Sequence, residues 1–203
     1  MQPQVKYPLN EKLTISEYLK LEQDNQQRYE YHDGYAYAMA GGTDNHNKIT
    51  MNVSARIHLA LLDKPCQIKN NDTKLWLELV NQYVYPDAMV FCQKPEQAPN
   101  LKDAFTNPVV IIEVLSKSTE GYDRGDKLRF YTQIPSLLHY VLIEQDKVQV
   151  DIYSRKNSTS LWDIRFLSDL KNNLELEISD IQTLSIPLSR IYDRVEFESN
   201  SNK

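Results

Sequence analysis

A chain of 203 residues, 41% hydrophobic, is long enough to bury one sizeable core, so a single domain over 1–203 is expected, with its core over about 10–195 and a polar tail over 198–203. A net charge of −5 weighs against a broad basic surface for nucleic acid, although total charge is a poor guide to a local groove. Two cysteines, Cys66 and Cys92, fit neither a disulfide framework nor a zinc-ligand spacing and read as two small buried hydrophobes in a reducing compartment.

In chain order, Thr14-Ile15-Ser16-Glu17 has the form of a capping box and predicts a short helix ending near Asp24. The stretch from Arg28 to Ala40 alternates around Asp33-Gly34, a type I′ turn signal, and predicts a hairpin with Glu30 on its first arm. Gly41-Gly42 breaks that pattern. Thr43 or Asp44 can then cap a long helix, in which Ile49, Val53, Ile57, Ala60 and Leu61 recur at helical spacing, ending near Lys64-Pro65. Strands are predicted over Cys66–Lys69, Thr73–Val80 and Gln82–Cys92. The proline-bearing segment from Gln93 to Pro108 reads as a loop. Val109–Leu115 is the next strand, followed by a turn and a helix from about Asp123 to Gln133, stopped by Ile134-Pro135. Leu138–Glu144 and Val148–Ser154 form a hairpin, Ser160–Phe166 adds a strand, and a short helix near Leu188–Tyr192 closes the chain. The fold class is therefore α/β or α+β, a sheet with a long helix packed on it. No basic region followed by an apolar run opens the chain, and the apolar runs are strand-sized, so a cytoplasmic protein without a membrane segment is expected.

Two acidic residues stand where carboxylates are costly. Glu113 lies in the run Val109 to Leu115, whose two faces are both apolar, which marks a central strand with Glu113 near its end. Asp87 follows Pro86, which lacks a ladder donor, so Asp87 belongs at a bend or strand edge. If the two strands are neighbours, the carboxylates face one another and suit Mg²⁺, which takes one or two carboxylates and keeps waters or phosphate oxygens for the rest. Asp123, Lys127 and Tyr131 share one helix face, from which Lys127 can reach the pair and stabilise charge on a phosphate. Glu30 is a candidate further ligand. Of the four histidines, His32 and His58 read as surface or helix-flank positions, His139 as strand packing, and only His46, in the first turn of the long helix, as near a site. The plainer reading of Glu113 is a buried ion pair with Lys127 or Arg129.

The combination Pro86-Asp87, Glu113-Val114-Leu115-Ser116, Asp123, Lys127 and Tyr131 resembles the "putative restriction endonuclease" family of the PD-(D/E)XK nuclease superfamily. Asp33-Gly34, Met39-Ala40-Gly41-Gly42, His46-Asn47 and Ser136-Leu137 with Tyr140-Val141-Leu142 extend the likeness over most of the chain. The resemblance implies a restriction-endonuclease-like fold, a mixed central sheet flanked by helices, and a Mg²⁺-dependent nuclease acting on DNA, with Mn²⁺ as a substitute metal. It implies Asp87, Glu113 and Lys127 as catalytic residues, Asp87, Glu113 and Glu30 as metal ligands, and Asp123, Tyr131 and His46 as supporting groups, the first two holding Lys127. Enzymes of this kind cut two strands with two sites, which implies a possible homodimer. The usual Lys, two residues after the second acid, is replaced here by Leu115, and Lys127 on the following helix is the substitute. Two other readings stay open: a non-catalytic nucleic-acid- or protein-binding module of the same fold, and a dimerisation scaffold.

Overall fold

The computed structural model describes residues 12–99, 101–179 and 182–198. Part of the expected tail, 199–203, and residues 10 and 11 of the expected core fall outside them, as does the stretch before Lys12 on which the absence of a leader was read.

The helix α1 spans Ile15–Asn25 and opens as the sequence predicts: the Thr14 hydroxyl accepts from the Glu17 N–H, and the Thr14 N–H donates to the Glu17 carboxylate at 2.8 Å. β1 (Tyr29–His32) and β2 (Tyr35–Ala38) form the hairpin. Its turn needs two left-handed residues, and Asp33 (φ 45°) and Gly34 (φ 102°) supply them. A Cβ on Gly34 would stand 2.9 Å from the Lys12 side chain in a backbone region L-residues avoid. Gly34→Ala should therefore cost about 1–2 kcal/mol, read as a lower denaturant midpoint at unchanged slope.

The helix α2, Asp44–Ala60, is capped by the Thr43 hydroxyl, which accepts from the His46 N–H at 3.1 Å. β3 (Gln67–Asn70) follows as predicted, whereas the predicted strand Thr73–Val80 is shorter, β4 (Lys74–Leu77), with Glu78–Val80 forming a 3-10 turn. The predicted strand Gln82–Cys92 is two strands, β5 (Gln82–Val84) and β6 (Ala88–Phe91), which belong to different sheets. Pro86 cannot donate to a ladder, so the chain leaves one sheet there and enters the other. The predicted loop from Gln93 to Pro108 contains β7 (Gln97–Ala98) and β8 (Leu101–Phe105). β7 ends its sheet and β8 lies between it and β4, so their weak pattern is completed by pairing with each other and, for β8, in parallel with β4.

β9 (Val110–Leu115) is central, between antiparallel β6 and parallel β10 (His139–Glu144). β11 (Val150–Ser154) and β12 (Asp163–Leu167) complete that sheet in the order β12-β11-β10-β9-β6-β3. The other sheet runs β2-β1-β5-β4-β8-β7. A hairpin absent from the sequence reading, β13 (Asn173–Ser179) with β14 (Gln182–Pro187), leads into α5 (Leu188–Ile191). The alternation Leu174, Leu176, Ile178 was its visible signal.

Three apolar clusters stack these layers. Tyr18 of α1 packs with Tyr29, Tyr31, Trp76 and Tyr83 on the outer face of the first sheet. Leu75, Leu77 and Val84 meet Met89, Phe91, Ile111, Leu115 and Leu142 between the sheets. Ile49, Val53 and Ile57 of α2, with the last hairpin, cover Val110, Ile112 and Val114 on the far face of the second sheet. The mixed sheet flanked by helices is thus the second sheet, with the first stacked against it.

The cysteine expectation is corrected. Cys66 and Cys92 are joined by a disulfide, because they extend β3 and β6 one residue beyond the pair Gln67 and Phe91 and so stand opposite one another. Sequence spacing of 26 residues carried no sign of that pairing. Among the described residues, no helix is long and apolar enough to cross a membrane.

Candidate functional site

Where the chain passes from β5 to β6, Asp87 is brought against the end of β9. Its carboxylate accepts from the Val114 N–H at 2.7 Å, while its own N–H donates to Glu113 Oε2 at 3.4 Å. The two acids therefore clasp each other across neighbouring strands, as the sequence predicts. Both are buried, Asp87 at 9% and Glu113 at 4% exposure.

Glu113 shares its face with Ile111 and Leu115, toward the space between the sheets, and that face receives the next helical segment. The segment is not the uniform α-helix predicted. It has an α turn, α3 (Glu120–Tyr122), a π segment (Asp123–Lys127) and a second α turn, α4 (Leu128–Tyr131). Wide π turns of this kind are frequent at functional sites. Arg124 clamps the segment to the sheet through Glu144 (2.6 Å) and Asp151, and is itself held by Glu120 one turn earlier (2.9 Å). From this perch Lys127 Nζ reaches Glu113 at 3.0 Å, Asp123 at 3.1 Å and Glu30 at 3.5 Å. Leu115, in the position where the usual motif carries Lys, is buried in the inter-sheet core. Tyr131 departs from expectation: its hydroxyl donates to Glu113 Oε1 at 2.9 Å and steadies the acid directly.

Glu30 is also buried, and its other oxygen lies 3.1 Å from His32 Nε2. The expectation of a surface or helix-flank position for His32 is corrected. In the structure its ring lies between Tyr37 and Tyr122, 4.7 and 5.4 Å away. Residues two apart on a strand share a face, so its proximity to Glu30 was available as a signal. Tyr122 was missed as well; its ring lies 5.4 Å from Lys127 Nζ. His46, placed near the site by the sequence, has Nε2 3.3 Å from Asp87 Oδ2, and its buried Nδ1 has no partner among the described residues.

The electrostatics follow from counting charges. Three buried carboxylates (Glu30, Glu113, Asp123) lie within 3.5 Å of one ammonium, and a fourth, Asp87, sits beside Glu113 with His46 against it. Burial pushes Glu113 up, and although Lys127 opposes this, the neighbouring Asp123, Asp87 and Glu30 hold it at about 8. Glu30 goes the other way: burial would raise it, but Lys127 and His32 bring it to about 2. Burial lowers Lys127, yet its three carboxylates outweigh burial and hold it charged, well above the ordinary lysine value. Burial likewise lowers His46 and is outweighed by the Asp87 carboxylate, so it too is raised.

A cation fits this donor set. Negative charge exceeds positive in a buried space, and a hard divalent ion needs only one or two carboxylates with waters completing its sphere. The described residues contain no group of three His, Cys, Asp or Glu spaced to enclose an ion. Asp87 and Glu113 are thus the donors the geometry offers, and Glu30 meets the cluster through Lys127.

The family model for Uma2, described as "Putative restriction endonuclease", matches residues 15–187. Two proteins of Synechocystis sp. (strain ATCC 27184 / PCC 6803 / Kazusa) are similar along nearly their full length. Uncharacterized protein sll1609 is 36% identical over 168 residues, 82% of this chain and 93% of the relative. Uncharacterized protein slr1290 is 34% identical over 186 residues, 92% and 94%. A crystal structure from Anabaena variabilis ATCC 29413, described as a putative nuclease belonging to DUF820, superposes with a TM-score of 0.64 at 14% identity, covering 82% of this chain and 90% of that one. That likeness is one of fold.

Proposed function

This chain belongs to the Uma2 family of "putative restriction endonucleases", and from that premise we propose that it is a Mg²⁺-dependent endonuclease that hydrolyses DNA phosphodiester bonds. The observation that carries the reading is the acid pair Asp87 and Glu113, clasped across two strands and reached by one buried ammonium at 3.0 Å. Asp87 and Glu113 would hold Mg²⁺, or Mn²⁺ in its place, with Glu30 in reserve beside Lys127. When bound, the metal polarises the phosphate and lowers the pKa of a coordinated water. Lys127, held protonated by its carboxylates, is unsuited to act as a base and would instead stabilise charge developing on the scissile phosphate. Asp123 keeps the ammonium in place, Tyr131 orients Glu113, and His46 orients Asp87.

One observation favours a second reading, a non-catalytic nucleic-acid- or protein-binding module. Lys127 is 6% exposed and already satisfied by three carboxylates, as a purely structural ion network would have it. The two are separated by thermal melts with millimolar Mg²⁺ or Mn²⁺, followed by DNA cleavage assays. The nuclease reading expects the wild type to gain about 2–3 kcal/mol at a hundredfold excess of metal over Kd. Asp87→Ala should remain folded and lose both this gain and cleavage. Equal metal stabilisation of wild type and Asp87→Ala would remove Asp87 as a ligand. DNA affinity unchanged by EDTA, with no metal-dependent shift, would favour the binding module.

A further inference from the structure

We propose that the outer edge of the second sheet is a self-recognition surface, on which β12 pairs antiparallel with β12 of a second copy of this chain. β12 ends its sheet, and among the described residues no strand pairs with its outer edge. An open row of backbone donors and acceptors invites pairing, and edges are usually blunted by polar residues or brevity. The other edge of the same sheet follows that rule, with Gln67, Lys69 and Asn70 on β3. β12 does not. Ile164 is 53% and Phe166 67% exposed, and Leu161 just before the strand is 89% exposed.

The order of residues supplies the partner. Alternation puts Trp162, Ile164 and Phe166 on one face and Asp163 and Arg165 on the other. In a two-fold antiparallel pair centred on Ile164, that residue meets its own counterpart, Trp162 meets Phe166, and Asp163 meets Arg165 twice over. One face of the joint is then wholly apolar and the other carries two opposite-charge pairs. Moving the centre to Arg165 would set two guanidinium groups against each other, and moving it to Asp163 two carboxylates. Charge therefore selects the register that also aligns the apolar residues. Arg165 already gives Nη2 to the Glu175 carbonyl at 2.8 Å, which leaves its other donors for Asp163 of the second copy. β12 lies three strands from β9, so this surface is separate from the acidic cluster.

The test is sedimentation velocity of the full chain over a concentration series, for wild type, Arg165→Asp, and the exchange Asp163→Arg with Arg165→Asp. Far-UV circular dichroism verifies that each variant is folded. The wild type should show a monomer–dimer equilibrium. Arg165→Asp should raise the dimer Kd about tenfold or more, by placing like charges opposite one another. The exchanged double variant should regain the wild-type Kd, because the same register is again complementary. A wild type that stays monomeric into the hundreds of micromolar overturns the proposal. So does a dimer indifferent to Arg165→Asp, or a folded double variant that fails to recover.

Discussion

Lys127→Met should destabilise the metal-free protein by about 3–5 kcal/mol, among the largest losses a single substitution here can produce. The methionine fills a similar volume, so little of the loss is packing. What remains is charge: Glu30, Glu113 and Asp123 lose the ammonium they share, and each stays buried. The substitution is best read by urea denaturation at neutral pH. Adding Glu30→Gln to Lys127→Met should recover part of the loss, because the carboxylate that Lys127 holds ionised at neutral pH is then replaced by a neutral group. A loss below about 1 kcal/mol, within the range of exposed ion pairs, would mean that the cluster is hydrated in solution.

Glu113→Gln has the second large effect, and its sign depends on pH. Glu113 ionises at about 8 in the folded protein against an ordinary 4.5, so folding favours its protonated form. The stability contributed by that form is complete below 4.5 and is lost as pH rises through 8. At pH above 8, ionised Glu113 costs the metal-free protein up to about 5 kcal/mol. Glu30 has the opposite slope: its folded value of about 2 gives stability that is present above 4.5 and lost as pH falls toward 2. The melting temperature of the metal-free wild type should therefore fall on both sides of a maximum near pH 5. Glu113→Gln should reduce the alkaline fall, leaving the part that His46 contributes as it deprotonates, and keep the acid one. Saturating Mg²⁺ should also flatten the alkaline fall in the wild type, since a metal ligand must be deprotonated and metal then takes the place of the proton. An alkaline arm of unchanged depth in Glu113→Gln would assign it to another group.

These expectations share one cause. One ammonium shared by three carboxylates, with only His46 beside the fourth, leaves negative charge in surplus, so the ionisation of the second acid, the stability of the metal-free chain and the appetite for a divalent ion are three readings of one surplus. The site is assembled from five places in the chain: the first hairpin, the start of α2, the bend between β5 and β6, the end of β9, and the π segment. No two of the four carboxylates lie within eight residues of one another in sequence.

Much of this was readable from residue order. The capping box at Thr14, the Asp33-Gly34 turn, the apolar periodicity of α2 and the two-faced apolar run around Glu113 are each decided within a few neighbouring residues. So were the cost of Glu113 in such a run and the bend imposed by Pro86, which together singled out the acid pair. Residue order did not determine which sheet a strand joins. It therefore left Gln82 to Cys92 as one strand, hid β7 and β8, and gave no sign of the Cys66–Cys92 link. Nor did it show the π turn or the burial of His32 beside Glu30, since both depend on what packs against them. Local sterics and hydrogen bonding act over a turn or a strand and are written in the chain. Pairing partners, and the balance of charge around Lys127, arise only when distant segments are brought within a few ångströms in a medium too dry to screen them.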